Sequence, residues 1–267
     1  MRAQVVRLGA VASLAILAGV HLSGWRAHAQ IAKPSVSPFD PPVRRVVVDL
    51  GMSEYRPNQN FRSTLTCSYY PRFLVKELDL GEKGAEWDAI VPIREGKTPK
   101  CEQTQQGGEI RLDQHDWSGY FSGVVGDLIF LDASDGLNGG LAFEVVDAAS
   151  GRKTFEDEAR RRYRVKNNTL VWEGRRLRIQ RDPNAAPVLA YTRAYRADCA
   201  LPKDGAACWN KIRAVTGLKQ AAPPACTGLF KDAPDDPSVI FYPVRMELGP
   251  KLVPVPVPGP VRCEAQE

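Results

Sequence analysis

Residues 119–159 read GYFSGVVGDLIFLDASDGLNGGLAFEVVDAASGRKTFEDEA. Three apolar runs, DLIFLDA (127–133), LAFEVVDA (141–148) and KTFEDEA (153–159), are punctuated by SDGLNGG and ASGR. β-Branched and aromatic residues between short Gly, Asp, Asn and Ser clusters are the pattern of antiparallel strands joined by tight turns. Upstream, RRVVVDL (44–50), STLTCSYY (63–70), FLVKELDL (73–80) and WDAIVPI (87–93) share that composition, and none has a helical period. Downstream the meander is expected to continue through RRYRVK (161–166), an Asn167-Asn168 turn, TLVW (169–172) and RRLRIQRD (175–182), with a later strand in SVIFYPVRMEL (238–248). Only PKDGAACWNKIRAVTGL (202–218) reads as helical, with Asp204 as N-cap, Ile212 and Val215 in register and Gly217 as the stop. The expected fold is all-β, built of mostly antiparallel meanders, propeller-like or a two-sheet sandwich, with one short C-terminal helix.

Within 119–159 a strand, an Asp-Gly turn, a second strand ending in Asp147-Ala148 and the Ser150-Gly151-Arg152 turn follow one another. That order resembles one blade of a quinoprotein-type β-propeller. The likeness occurs in a single copy and rests on turn grammar that many sheets share. It implies a propeller-like arrangement, and no cofactor is carried over from it.

The first 29 residues point to export. MRAQVVR supplies two arginines, LGAVASLAILAGVHL (8–22) is an apolar run of signal-peptide length, and Ala27-His28-Ala29 puts small residues at −3 and −1 of a cleavage point. The run is short for a bilayer span, so cleavage after Ala29 is expected, with no membrane span afterwards. Residues 30–42 (QIAKPSVSPFDPP) then form an extended, proline-rich leader, and 43–267 form a single β-rich domain ending in the proline-rich tail KLVPVPVPGPV (251–261). Six cysteines in an exported chain are expected as disulfides. Of the 15 possible connectivities, pairing of sequence neighbours is the most economical: Cys67–Cys101, Cys199–Cys208 and Cys226–Cys263, with Cys208–Cys226 as a rival bridge. The location is periplasmic or secreted.

Cleavage also edits the chemistry. His21 and His28 leave with the signal, so His115 is the one histidine that remains, and a multi-histidine metal site is excluded. The formal charge falls from +5 by three arginines, Arg2, Arg7 and Arg26, to +2. What remains is segregated: residues 152–181 hold eleven basic residues against four acidic ones. Alternation puts Tyr163, Val165, Leu170, Trp172, Leu177 and Ile179 on one face of the expected meander, and Arg162, Arg164, Lys166, Arg176 and Arg178 on the other. A solvated outer face is one reading of those charges. The functional one is a docking surface for an anionic envelope component or an acidic protein; export disfavours nucleic acid.

Catalytic patterns are weak. No serine sits in a Gly-x-Ser-x-Gly elbow, and Ser150-Gly151-Arg152-Lys153 matches Ser-x-x-Lys only as a turn between strands. Asp132, Asp135 and Asn138 in DASDGLNGG lack calcium-loop spacing and read as turn residues. Glu77, Asp79, Glu82, Glu86, Asp88, Glu109 and Asp113 could supply a glycosidase pair, but spacing selects no two of them. In RLDQHDWSGYFSG (111–123), His115 lies between Asp113 and Asp116 and could be a carboxylate-oriented base. Neighbours on an extended chain face opposite ways, so a polar loop is the simpler reading. The expected function is therefore binding, with no catalytic residue, metal or cofactor assigned. The alternative is a carboxylate-dependent hydrolase of envelope polymers assisted by His115.

Overall fold

A computed structural model describes residues 37–94, 97–112, 119–136, 139–166, 169–173, 176–228 and 234–266. The expected signal peptide and most of the expected leader lie outside them. Two antiparallel sheets dominate. The smaller is a meander of β1 (Arg44–Met52), β2 (Arg62–Tyr69), β3 (Phe73–Asp79), β4 (Trp87–Pro92) and β5 (Ile110–Arg111), in that order. The larger begins with a second meander, β6 (Gly119–Val125), β7 (Leu128–Ala133), β8 (Gly140–Asp147) and β9 (Lys153–Arg160). Between β9 and the rest of that sheet the chain makes a separate hairpin, β10 (Arg162–Lys166) with β11 (Thr169–Glu173), then the short β12 (Arg178–Gln180). The sheet resumes with β13 (Val188–Arg196), which pairs over its whole length with β15 (Ser238–Glu247). β14 (Cys226–Thr227), β16 (Val255–Pro256) and β17 (Arg262–Ala265) complete it, β14 and β17 being parallel.

The period-2 pattern explains the packing. Tyr70, Phe73, Val75 and Ile90 of the smaller sheet meet Val124, Ile129, Leu131 and Val146 of the larger, making the shared core of a two-sheet sandwich. The 119–159 stretch forms β6 to β9 inside that sheet, so the blade-like turn order belongs to a sandwich. On the opposite face of the larger sheet, α1 (Leu201–Thr216) packs Cys208, Trp209 and Ile212 near Ile240, Tyr242 and Cys263. Gly217 ends the helix as expected, at φ 73° with its N–H donating to the Arg213 carbonyl. Two details differ. Asp204 is not the N-cap: it lies inside the first turn and accepts from the Ala200 N–H at 3.2 Å, while Gly205 interrupts the helix at φ 53°. Val215 is exposed, and the buried stripe runs instead through Trp209, Ile212 and Thr216.

All three neighbour disulfides are present: Cys67–Cys101, Cys199–Cys208 and Cys226–Cys263. The last joins directly paired residues of β14 and β17 and ties the proline-rich tail to the sheet. The tail runs along β15, Val255 opposite Arg245 and Arg262 opposite Phe241. The three bridges fit an oxidising, non-cytoplasmic compartment. No helix among the described residues is long and apolar enough to cross a membrane.

The end of the expected leader is anchored although no described residue before Arg44 is in a strand. Asp40 donates its N–H to the Val124 carbonyl at 2.8 Å and accepts the Gly126 N–H at 2.7 Å. The Phe39 ring lies 5.2 Å from that of Phe130 and against Gly123, where a Cβ would stand 2.3 Å from it. Gly123, at φ 154°, is therefore the residue that admits the leader.

Lys76 is wholly buried in the smaller sheet. Lys76 Nζ donates to Glu109 Oε2 at 2.7 Å and to the carbonyls of Glu102 and Thr104 at 2.9 and 3.3 Å, so all three of its N–H donors are used. Glu109 also accepts from Gln106 N and Arg111 Nε, at 3.0 and 3.1 Å. The Lys76–Glu109 pair and the Cys67–Cys101 bridge together hold the segment before β5 against the sheet.

Candidate functional site

The larger sheet forks. β13 pairs with β9 only at Arg193 opposite Ala159, and three residues earlier β12 takes over the same edge, Arg178 opposite Ala190. Tyr191 and Thr192 lie between the two pairings. This corrects the expectation that RRLRIQRD flanks TLVW: β12 is not a third strand of the β10–β11 hairpin but an edge piece of the larger sheet. The strand that receives it, VLAYTRAYR, carries no clear strand signal in its sequence.

At the fork lies a groove of about 800 Å³. Arg160, Arg161, Arg176, Arg178 and Arg245 line it, with Asp132 the one lining carboxylate among the described residues. They come from distant parts of the chain. Arg160 ends β9 and Arg161 follows it; Arg176 and Arg178 lead into and begin β12; Arg245 belongs to β15. Tyr120, Ser122, Ser134, Gln180 and Thr192 add hydroxyl and amide groups.

The arginines are held in position rather than loose. Arg176 is nearly buried; its Nη1 donates to the Leu141 carbonyl at 2.9 Å and its Nη2 pairs with Asp132. Arg160 Nη2 meets Glu264 Oε1 at 2.6 Å while its guanidinium lies 4.3 Å from the centre of the Phe241 ring. Arg245 donates to Gln180 Oε1 at 2.8 Å. Burial, and then the charge of Arg176, lower the Arg161 pKa, while Asp132 opposes them. Guanidinium groups stay charged at such depth, and their planar donor forks suit carboxylate and phosphate oxygens.

Beneath the groove, Tyr191 reaches into a buried polar network. It donates its hydroxyl to Asp157 Oδ2, whose other oxygen accepts Arg193 Nε at 2.8 Å, and Arg193 Nη1 donates to the Tyr242 hydroxyl at 3.5 Å. Burial and then the Asp157 charge push the Tyr191 hydroxyl far above its ordinary range. Tyr191 is thus a fixed donor, and its ring packs edge-on against Phe143, 5.3 Å away.

The expected basic face is only partly this groove. Arg176 and Arg178 line it; Lys166 is exposed on β10; the side chains of Arg162 and Arg164 lie outside the described part. His115, with Asp113, Asp116 and Trp117, also lies outside the described residues, as do Asn138 and the Asn167-Asn168 turn. Asp135 pairs with Lys83 and Asp132 with Arg176. Ser150 forms the turn read from sequence: its N–H and hydroxyl both donate to Asp147 Oδ1, at 2.8 and 2.6 Å, and Gly151 takes φ 67°.

The described carboxylates considered for hydrolysis do not line the groove. Glu109 is held by Lys76. Asp79 accepts the Gly81 N–H at 2.8 Å, while Glu82 and Glu86 are exposed. Glu77 stands opposite Asp88 on β3 and β4, and reaches across to accept the Phe121 N–H of β6 at 2.6 Å. Burial pushes the Glu77 carboxyl up to about 6; the Phe121 bond and Arg45 pull it back, and Asp79 adds to the rise. Cys199, Asp204 and Cys208 cluster, but the two sulfurs form a disulfide and offer no thiolate. No protein-family model, curated protein or solved structure matches this chain.

Proposed function

We propose that the chain is an exported binding protein, periplasmic or secreted, that holds an anionic polymer of the cell envelope in the arginine groove of its larger sheet. The observation that carries this reading is the lining: five guanidinium groups to one carboxylate, gathered from four separate stretches of chain. A merely solvated basic face has no need of concavity or of arginines held by Leu141, Phe241 and Gln180. The hydroxyl and amide groups beside the arginines suit a ligand that carries polar groups between its charges, such as an anionic polysaccharide. The exposed Arg178 and Lys166 extend the positive potential outward and would speed capture.

The test is retention of the mature protein on immobilised polygalacturonate at low ionic strength. The wild type should be retained and should elute as salt screens the contacts. Arg178→Glu with Arg245→Glu should abolish retention with an unchanged far-ultraviolet spectrum, and Lys211→Glu, on α1, should leave it as in wild type. Failure of the wild type to bind even at low ionic strength would reduce the groove's charge to surface solvation.

A further inference from the structure

We propose that the protein forms a closed two-fold dimer in which β1 pairs antiparallel with β1 of a second copy, centred on Val47. The starting point is a contrast between two outer edges. The outer edge of β6 is covered: its Gly119 and Val124 carbonyls accept the N–H groups of Ala85 and Asp40, and its Phe121 N–H donates to Glu77. β1 is nine residues long and ends the smaller sheet, with β2 on one side and no described strand on the other. An edge of that length with no described strand beside it is a template for another strand.

The sequence of β1 says which strand fits. Around Val47, RRVVVDL is self-complementary. An antiparallel pair that keeps both copies' faces on the same side must match residues of equal parity. Among such registers, the one centred on Val47 sets Arg45 opposite Asp49 twice, Val46 opposite Val48 twice and Val47 opposite itself. Shifting the centre by one residue either way puts Arg45 opposite Val47 or Gly51 and loses both charge pairs. Opposite charges directly across strands are favourable and like charges are not, so this register is selected. Asp49 already accepts Arg62 Nε at 2.5 Å and the Gly51 N–H at 2.9 Å, and a carboxylate has lone pairs for a further donor.

Packing agrees. Val46, Val48 and Leu50 lie on the outer core of the smaller sheet beside Leu65 and Leu78, and the pairing would join the two cores through Val46 and Val48, with Arg44 opposite Leu50 at either end. On the opposite face Val47 is 56% exposed in the single chain and would meet its own counterpart. The bulge between Asp49 and Gly51 then ends the pairing. A palindromic edge is the mark of a self-association, since each contact is made twice by the two-fold axis. A foreign strand would meet that symmetry only by coincidence.

The experiment uses complementary variants of the mature chain, each checked for native far-ultraviolet spectrum, with mass read by sedimentation at the highest soluble concentration. The wild type should sediment at twice the chain mass. Arg45→Glu alone opposes Glu to Asp49, and Asp49→Lys alone opposes Lys to Arg45, so each should sediment as a monomer. Mixed, they should return to twice the chain mass, because every cross-strand charge pair is then of opposite sign. A monomeric wild type, dimers that ignore either substitution, or a mixture that stays monomeric would each overturn the proposal. Cross-linking supplies a second reading that does not depend on charge. Val47→Cys should give a reducible covalent dimer, while Val43→Cys, at a more exposed site that faces Gly51 of the other copy, should not. Equal cross-linking at the two sites would contradict the register.

Discussion

The two sheets bury positive charge in opposite ways. In the smaller one, Lys76 is closed off from water with three acceptors for its three N–H groups, one of them the Glu109 carboxylate. In the larger one, five arginines line an open groove, with Arg176 paired to Asp132 and Arg160 to Glu264. A desolvated pair that satisfies itself has nothing left to offer a ligand, and it organises the chain around it. A groove with positive charge in excess retains attraction for something outside the molecule. On the proposed reading, Lys76 is a charge kept for architecture and the groove arginines are charges kept for recognition.

The largest effect should come from breaking the architectural pair. Lys76→Met leaves the buried Glu109 carboxylate with the partly exposed Arg111 as its remaining charged partner among the described residues, and the loss should be about 3 kcal/mol in a urea melt. Adding Glu109→Leu should recover part of that loss, because no unpaired charge is then buried, and retention on polyanion should be intact in the double variant. If retention falls with stability in every case, the two regions are not separable as described.

A smaller effect is expected at Glu77, which links the sheets through Phe121. Its carboxyl is raised from the ordinary 4.5 to about 6, so the folded state favours the protonated form. That contribution is fully present below pH 4.5 and is lost as pH rises through about 6, a difference of about 2 kcal/mol. Glu77→Gln keeps an acceptor for the Phe121 N–H and removes the titration. Its stability should be flatter across that window than the wild type's and higher above it. Parallel pH profiles for the two proteins would refute the assignment.

The smallest stability effect belongs to the groove. Arg178 is exposed, so Arg178→Ala should change the melting free energy by no more than about 0.5 kcal/mol while weakening polyanion retention. A large stability loss there would move Arg178 from the recognition side of the comparison to the architectural one.

How much of this was legible in the sequence follows from what is local. Strand runs such as DLIFLDA and FLVKELDL, and Gly217 as helix stop, are written in short windows, and the structure has them. Neighbour disulfides were legible because they close short loops. VLAYTRAYR is not legible as a strand because arginine, threonine and tyrosine alternate with its apolar residues and dilute the signal, although Leu189 and Tyr191 are core residues. β12 was given the wrong partner because adjacency favours TLVW, whereas its partner β13 is chosen by long-range packing. The groove was half visible: Arg176 and Arg178 stood out by charge density, but no local pattern brings Arg245 beside Gln180 or puts Asp132 against Arg176. Lys76, in an apolar run, gave no sign that its partner lies 33 residues on.

The central claim is that the groove arginines, and not the basic surface at large, hold the anionic ligand. Arginine side-chain Nε–Hε nuclear resonances, titrated with polygalacturonate, report on that directly. The account predicts that the resonances of Arg160, Arg161, Arg176, Arg178 and Arg245 shift together and saturate, while those of Arg62 and Arg72 in the smaller sheet stay in place. Shifts spread evenly over all arginines, or largest at Arg62 and Arg72, would contradict it.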